Sequence, residues 1–114
     1  MPHIIVEYSD HLAIDIPKLL SELHNDLAAR DTVTIKAIKT RAIPIEHCVI
    51  GDMDTANSII HIALKLLPGR DDALKTQMTQ GLADIAAAHV KRPQNPECSI
   101  TVECLTLDAE SYIK

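Results

Sequence analysis

Four residues have side chains or a terminal nitrogen that could take part in a reaction, and each lies at a position that favours this: Pro2, Lys39, Arg41 and Arg70. Removal of Met1 converts the nitrogen of Pro2 from an amide into a secondary amine, and α-amino groups have an ordinary pKa of about 7.7–8.0. Partial burial and nearby cations lower such a pKa further, toward the value that general base catalysis needs at neutral pH. The cationic side chains can bind carboxylates and stabilise developing negative charge. These residue types favour proton transfer on a small acidic molecule.

Each of these assignments has a plain structural alternative. Proline at position two is often only the first residue of a strand, so Pro2 alone is a weak indication. Arg70 precedes a predicted helix, where anion-binding groups gather, but it could equally pair with the two aspartates that follow it. Lys39 and Arg41 share the mostly apolar face of a predicted strand. That placement indicates a pocket or a subunit interface, although strand ends often carry solvated charges.

The first half of the chain predicts a strand, a helix and a second strand. Pro2 to Tyr8 alternates between two faces, as a strand does. A helix is predicted over about residues 17–30, with Asp15 as its cap. Residues 32–43 are rich in β-branched side chains and predict the second strand. Residues 44–57 show little periodicity and predict a long connection.

The second half repeats this order. Residues 58–67 predict a strand with aliphatic side chains on one face. Asp71 and Asp72 then open a predicted helix, where their charges suit the positive end of the helix dipole. Residues 98–107 alternate as a fourth strand, which would turn Cys98 and Cys104 to the same face.

We therefore expect an α+β fold in which two β-α-β repeats form a four-stranded sheet with two helices on one face. The chain would be a single domain over residues 1–114, with pseudo-repeats at about 2–45 and 58–107. Such an arrangement leaves the second face of the sheet uncovered. Self-association is the simplest way to bury it.

Composition narrows the function classes. A formal net charge of −5 argues against a nucleic-acid partner, and no apolar run is long enough to cross a membrane. The amino terminus does not have the pattern of a secretory signal, so a cytoplasmic location is expected. Three cysteines without a CxxC motif favour reduced thiols, and the six histidines lack zinc-site spacing. We expect no metal.

Three stretches resemble the 5-carboxymethyl-2-hydroxymuconate isomerases of the tautomerase superfamily, which includes 4-oxalocrotonate tautomerase. They are residues 1–10 (MPHIIVEYSD), 37–41 (AIKTR) and 61–70 (HIALKLLPGR). The resemblance spans nearly the whole chain at low identity. It implies a homotrimer of two β-α-β units per subunit and a proton transfer without a cofactor. The reaction it implies converts an enol or dienol dicarboxylate to its conjugated keto isomer.

The resemblance also implies roles for single residues. Pro2 matches the family's general base, and the family's catalytic arginine aligns best with Lys39, although a shift of two residues would place it at Arg41. In the first alignment Arg41 matches a second arginine, which we assign with Arg70 to substrate binding. A lysine in the catalytic place is a departure, since an ammonium cannot grip a carboxylate by two parallel hydrogen bonds.

Three other functions fit the same pattern. A trimeric protein of this fold that has lost catalysis would explain the lysine. A related enzyme acting on another keto acid, or a dehalogenase or hydratase, could use the same proline and cations. A regulatory ligand-binding domain of this topology would not need a free amine at Pro2.

Overall fold

The computed structural model describes Pro2–Lys114, and its elements follow the order strand, helix, strand, strand, helix, strand. A short 3₁₀ helix at Ile35–Ala37 precedes the second strand. The bounds are β1 His3–Ser9, α1 Ile16–Ala28, β2 Lys39–Ile45, β3 Asn57–Leu66, α2 Asp72–His89 and β4 Glu97–Thr106.

The four strands form one mixed sheet in the order β2-β1-β3-β4. Each helix connects two parallel strands, β1 with β2 and β3 with β4, and the two units meet where β1 runs antiparallel to β3. Both helices bury their apolar sides in one core against the same sheet face. The predicted α+β fold class is confirmed.

The core is aliphatic because the chain contains no Phe or Trp. Leu23 of α1 and Leu82 of α2 are fully buried, and they pack with the fully buried Ile4 and Val6 of β1. The helix-facing side chains of β3 are equally buried: Ile60, Ile62, Leu64 and Leu66. Burial of this kind stabilises by about 1.5–3 kcal/mol per large side chain, so β1 and β3 anchor the sheet.

The prediction of a strand over residues 32–43 is wrong at its amino-terminal half. Residues before Lys39 form turns and the short 3₁₀ helix, and the strand runs from Lys39 to Ile45. β2 is an edge strand whose partner in the sheet is β1, and the pairing begins at His3 with Lys39. Residues 32–38 therefore have no neighbouring strand with which to pair, despite their β-branched side chains.

Within Pro2–Lys114, no helix lies on the second face of the sheet, which we term the open face. It presents His3, Ile5 and Glu7 of β1, as the alternation predicts. Apolar side chains at its edges stay exposed, with Ile43 of β2 48% and Leu105 of β4 41% accessible. The open face is thus a mixed surface of cations, acids and aliphatic groups.

The predicted cap of α1 is confirmed, and the cap of α2 is Asp71, which was predicted for the first turn of that helix. The carboxylate of Asp15 accepts a hydrogen bond from the backbone N–H of Lys18 at 3.1 Å, and that of Asp71 accepts one from Leu74 at 2.9 Å. These bonds satisfy N–H groups that have no partner inside the helix. Among residues 2–114, no helix is long and apolar enough to cross a membrane.

We expect Asp71→Ala to lower the free energy of unfolding by about 1 kcal/mol, because the cap of α2 is lost. Asp72→Ala is the matched control: its fully exposed carboxylate pairs with Lys75 at 3.4 Å, and its loss should destabilise the protein less than the loss of the cap. Urea unfolding at one protein concentration measures both variants. Equal losses would contradict the capping role.

Candidate active site

Pro2 lies at the end of the sheet where three chain segments meet. Its side chain is buried, and its carbonyl oxygen accepts a hydrogen bond from the backbone N–H of Lys39 at 3.0 Å. Because β1 is antiparallel to β3, the start of β1 lies beside the end of β3. The turn that carries Arg70 therefore leaves the sheet at the same end as Pro2 and Lys39.

Lys39 and Arg41 stand on the open face beside β1. The register pairs Lys39 with His3 and Arg41 with Ile5, so the two cations lie one above the other along the edge strand. The Lys39 ammonium donates a hydrogen bond to the carbonyl of Ala37 at 3.3 Å, and an Arg41 N–H contacts the His3 ring at 3.2 Å. Both side chains are exposed.

Arg70 is held apart from these two cations. Its guanidinium donates to the backbone carbonyl of Thr32 at 2.9 Å and to the Thr32 hydroxyl at 3.3 Å. Asp71 caps α2, and Asp72 pairs with Lys75, so pairing with the aspartates is not what the structure shows. In the part of the chain that the structure describes, no hydrogen bond links Arg70 to Lys39 or to Arg41.

The positive charges at this end of the sheet act on His3. Burial lowers the pKa of its imidazole below the ordinary value, and the charges of Arg41, Lys39 and Lys65 lower that pKa further. The ring faces Tyr112 on its other edge, with 2.6 Å between Nε2 and the phenolic oxygen. Cations surrounding a group favour its neutral form, so His3 is uncharged near neutral pH.

Sequence reasoning missed three of these partners. His3 shares the predicted face of Lys39 and Arg41, and its place next to Pro2 was a usable signal. The contacts of Tyr112 with His3 and of Thr32 with Arg70 join residues 109 and 38 positions apart. No local pattern in the sequence indicates either contact.

The cysteines follow the prediction for free thiols. Cys98 and Cys104 both pack toward the core from β4, whereas Cys48 is exposed in the connection after β2. Burial raises the pKa of the Cys104 thiol, against the opposing charges of Lys75 and Arg70. The exposed Cys48 is consequently the thiol most open to alkylating reagents.

Two grooves of the single chain lie away from these residues. One, of about 480 Å³, is bounded by Ser9, His11 and Met53 at the opposite end of the sheet. The other, of about 460 Å³, runs between the helices beside Glu22 and His89. Neither is lined by the predicted site residues. Lys39 and Arg41 lie on an exposed face, and Arg70 follows the strand that ends beside them.

The arrangement can serve one kind of chemistry best. Pro2 is buried and bonded through its carbonyl to the backbone of Lys39, whose side chain and that of Arg41 are exposed on the open face, and Arg70 leaves the sheet at the same end. Cations so placed attract carboxylates and stabilise negative charge that develops on an oxygen. The whole chain has a formal net charge of −5, so the excess of cations at this end of the sheet is local.

Comparisons with known proteins agree with the fold and identify the family. The sequence profile of 5-carboxymethyl-2-hydroxymuconate isomerase matches residues 2–114. A 5-carboxymethyl-2-hydroxymuconate isomerase from Deinococcus radiodurans R1 has a TM-score of 0.91 at 24% identity, covering 99% of this chain and 87% of that one. A 5-carboxymethyl-2-hydroxymuconate delta-isomerase reaches 0.86 at 19% identity, covering 100% and 87%.

More distant structures share the fold. A fused 4-OT symmetric trimer has a TM-score of 0.63 at 14% identity, covering 91% of this chain and 85% of that one. No curated protein matches the chain significantly. The matching profile and the paired β-α-β units define an isomerase of the tautomerase class. The chain belongs to the 5-carboxymethyl-2-hydroxymuconate isomerase family.

Proposed function

We propose that the chain converts an enol or dienol dicarboxylate of the 2-hydroxymuconate type to its conjugated keto isomer, with Pro2 as the base. The observation that carries this proposal is that Lys39 and Arg41 stand beside β1, which follows Pro2, and that the turn with Arg70 leaves the sheet at the same end. The family match, which begins at Pro2 itself, supports it.

The proposed reaction is a proton transfer in two steps. After removal of Met1, the neutral amine of Pro2 accepts the proton of the substrate enol, and the oxygen becomes an enolate. The charge spreads over the conjugated system, where Lys39 stabilises it. The protonated amine then returns the proton to a carbon, which leaves the keto isomer and restores the base. Arg41 and Arg70 bind the carboxylates of the substrate.

We also propose that the chain works as a cytoplasmic homotrimer on a small-molecule carboxylate. Support comes from the open face, whose exposed Ile43 and Leu105 would be buried by a second copy. Trimers occur among the proteins that share this fold. An assembly of this kind would also cover the exposed cations and turn the sheet end into a pocket.

The first test blocks the amine of Pro2. We expect a protein that keeps an amino-terminal tag to lose dienol tautomerisation, because the tag leaves the nitrogen as an amide. The untagged protein should be alkylated at Pro2 by 3-bromopyruvate, with mass spectrometry and activity followed together. The experiment needs a Cys48→Ser background, since that exposed thiol competes for the reagent.

Full activity of the blocked protein would overturn the proline mechanism. An alkylated Pro2 without loss of activity would do the same. An intact Met1 with no activity would favour the trimer that has lost catalysis.

A second test separates Lys39 from Arg41. We expect Lys39→Met to lower kcat about a hundredfold, because one stabilising group for the developing charge is lost. Lys91→Met is a matched control, since that ammonium also donates to a carbonyl, of Ala88, at 3.2 Å. Loss of kcat in Arg41→Met but not in Lys39→Met would move the catalytic role to Arg41.

A third test concerns Arg70. We expect Arg70→Ala to raise KM for a dicarboxylate about tenfold with a smaller change in kcat, as expected for a lost charge-assisted hydrogen bond. Thr32→Val controls for the contact with the threonine hydroxyl, and Arg92→Ala controls for general charge. Arg92 is bonded to the carbonyl of Cys98 at the other end of the sheet. An unchanged KM in Arg70→Ala would remove that residue from the site.

A further inference from the structure

A chain of hydrogen bonds on the open face runs through His3. An Arg41 N–H lies 3.2 Å from the Nδ1 atom of His3, and the Tyr112 hydroxyl lies 2.6 Å from its Nε2 atom. The rings of His3 and Tyr112 meet edge to face, with centroids 5.9 Å apart. The imidazole thus touches a different partner on each of its two nitrogens.

The available donors decide which group donates and which accepts in each of these hydrogen bonds. A guanidinium has only N–H donors, so Nδ1 of His3 must accept the hydrogen bond from Arg41. The ring proton of the neutral imidazole then sits on Nε2 and is donated to the oxygen of Tyr112. The hydroxyl proton of Tyr112 remains free for another partner, as do the N–H groups of Arg41 that face away from His3.

Hydrogen bonds in the carboxyl-terminal segment of the protein hold Tyr112 in place. The backbone N–H of Leu107 donates to the carbonyl of Leu66 at 2.7 Å, which fixes the segment that leaves β4. Asp108 then organises a turn: its carboxylate accepts from the N–H of Ser111 at 3.0 Å and from the Ser111 hydroxyl at 2.5 Å. The Tyr112 N–H donates to the Asp108 carbonyl at 3.0 Å. The tyrosine is therefore positioned before any ligand arrives.

We propose that His3 is a positioning residue that sets Arg41 and Tyr112 as a pair of donors selecting a dicarboxylate over a monocarboxylate. The two donors contact opposite edges of one imidazole, so they are held apart and can reach oxygens at separate ends of a ligand. A ligand with a single carboxylate engages one donor and leaves the other without an anion. This inference rests on the proposed function only for the class of ligand.

The test compares two ligands with the same carbon chain. trans,trans-Muconate carries a carboxylate at each end, and sorbate, which has the same double-bond geometry, carries one. We expect the native protein to bind muconate about tenfold more tightly than sorbate. Tyr112→Phe, which removes only the hydroxyl, should erase most of that preference by weakening muconate binding. Its matched control is Tyr8→Phe, because Tyr8 packs against the core.

Variants of His3 test the positioning role. His3→Phe should lose the preference for muconate as Tyr112→Phe does, although it changes neither donor. His3→Gln should restore part of it, since an amide offers one acceptor and one donor. The double variant His3→Phe, Tyr112→Phe should lose little more than either single variant. Independent, additive losses would overturn the proposed pairing.

Nitrogen NMR of the His3 ring gives a readout that does not depend on binding. We expect a neutral ring protonated at Nε2 at pH 7. Arg41→Met should raise the pKa of His3 toward its ordinary value of 6.5, because one of the charges that lower that pKa is removed. Ring protonation at Nδ1, or a charged ring at pH 7, would overturn the inference.

These measurements separate the inference from the proposed function. Muconate binding and ring protonation need no turnover, so a protein without tautomerase activity can still show the pairing. Conversely, an active enzyme in which Tyr112→Phe binds both ligands as the native protein does would keep the function and reject the pairing. Failure of the native protein to prefer muconate would also reject it.

Discussion

The hydrogen bond from the backbone N–H of Lys39 to the carbonyl of Pro2 sets the geometry of the site. It begins the parallel ladder between β1 and β2, and so it decides which residues of the edge strand stand beside β1. It engages the carbonyl of Pro2 and leaves the ring nitrogen free of the ladder. Proline suits this place because the ladder uses only its carbonyl. One backbone contact thereby serves the fold and the proposed base together.

Both helices lie on one face of this sheet. Each β-α-β unit sends its helix to the same face, so the aliphatic side chains of β1 and β3 that point there form the core. The alternate side chains must face the other way, and on β1 and β2 they include His3, Lys39 and Arg41. The cations therefore stand on a surface that no helix of the subunit covers. The architecture that buries the core is also the one that exposes the site.

Predictions from the sequence were reliable where the burial of one side of an element requires a regular pattern of apolar residues. The alternation of β1 and β3, the cap Asp15 and the α+β fold class were all predicted, because each depends on neighbours close in the chain. The prediction of a strand at residues 32–38 was wrong, since their β-branched side chains favour strands but no strand of the described residues pairs with them. The contact between His3 and Tyr112 depends on how distant segments pack, so no periodicity could indicate it. The pseudo-repeat boundaries and the roles of the site residues stay predictions.

A lysine in the place of the family's catalytic arginine, as the resemblance implies, changes how the work is divided at this sheet end. An ammonium is a strongly hydrated point charge, which can stabilise an enolate but imposes little geometry on it. A guanidinium has a planar fork, and its directions matter only if the group is held. Arg41 is held by the neutral ring of His3, and that ring is kept neutral by burial and by the cations around it. The proposed roles therefore differ: Lys39 is assigned the stabilising charge, and Arg41 is assigned the geometry, through an acceptor that its own charge helps to keep neutral.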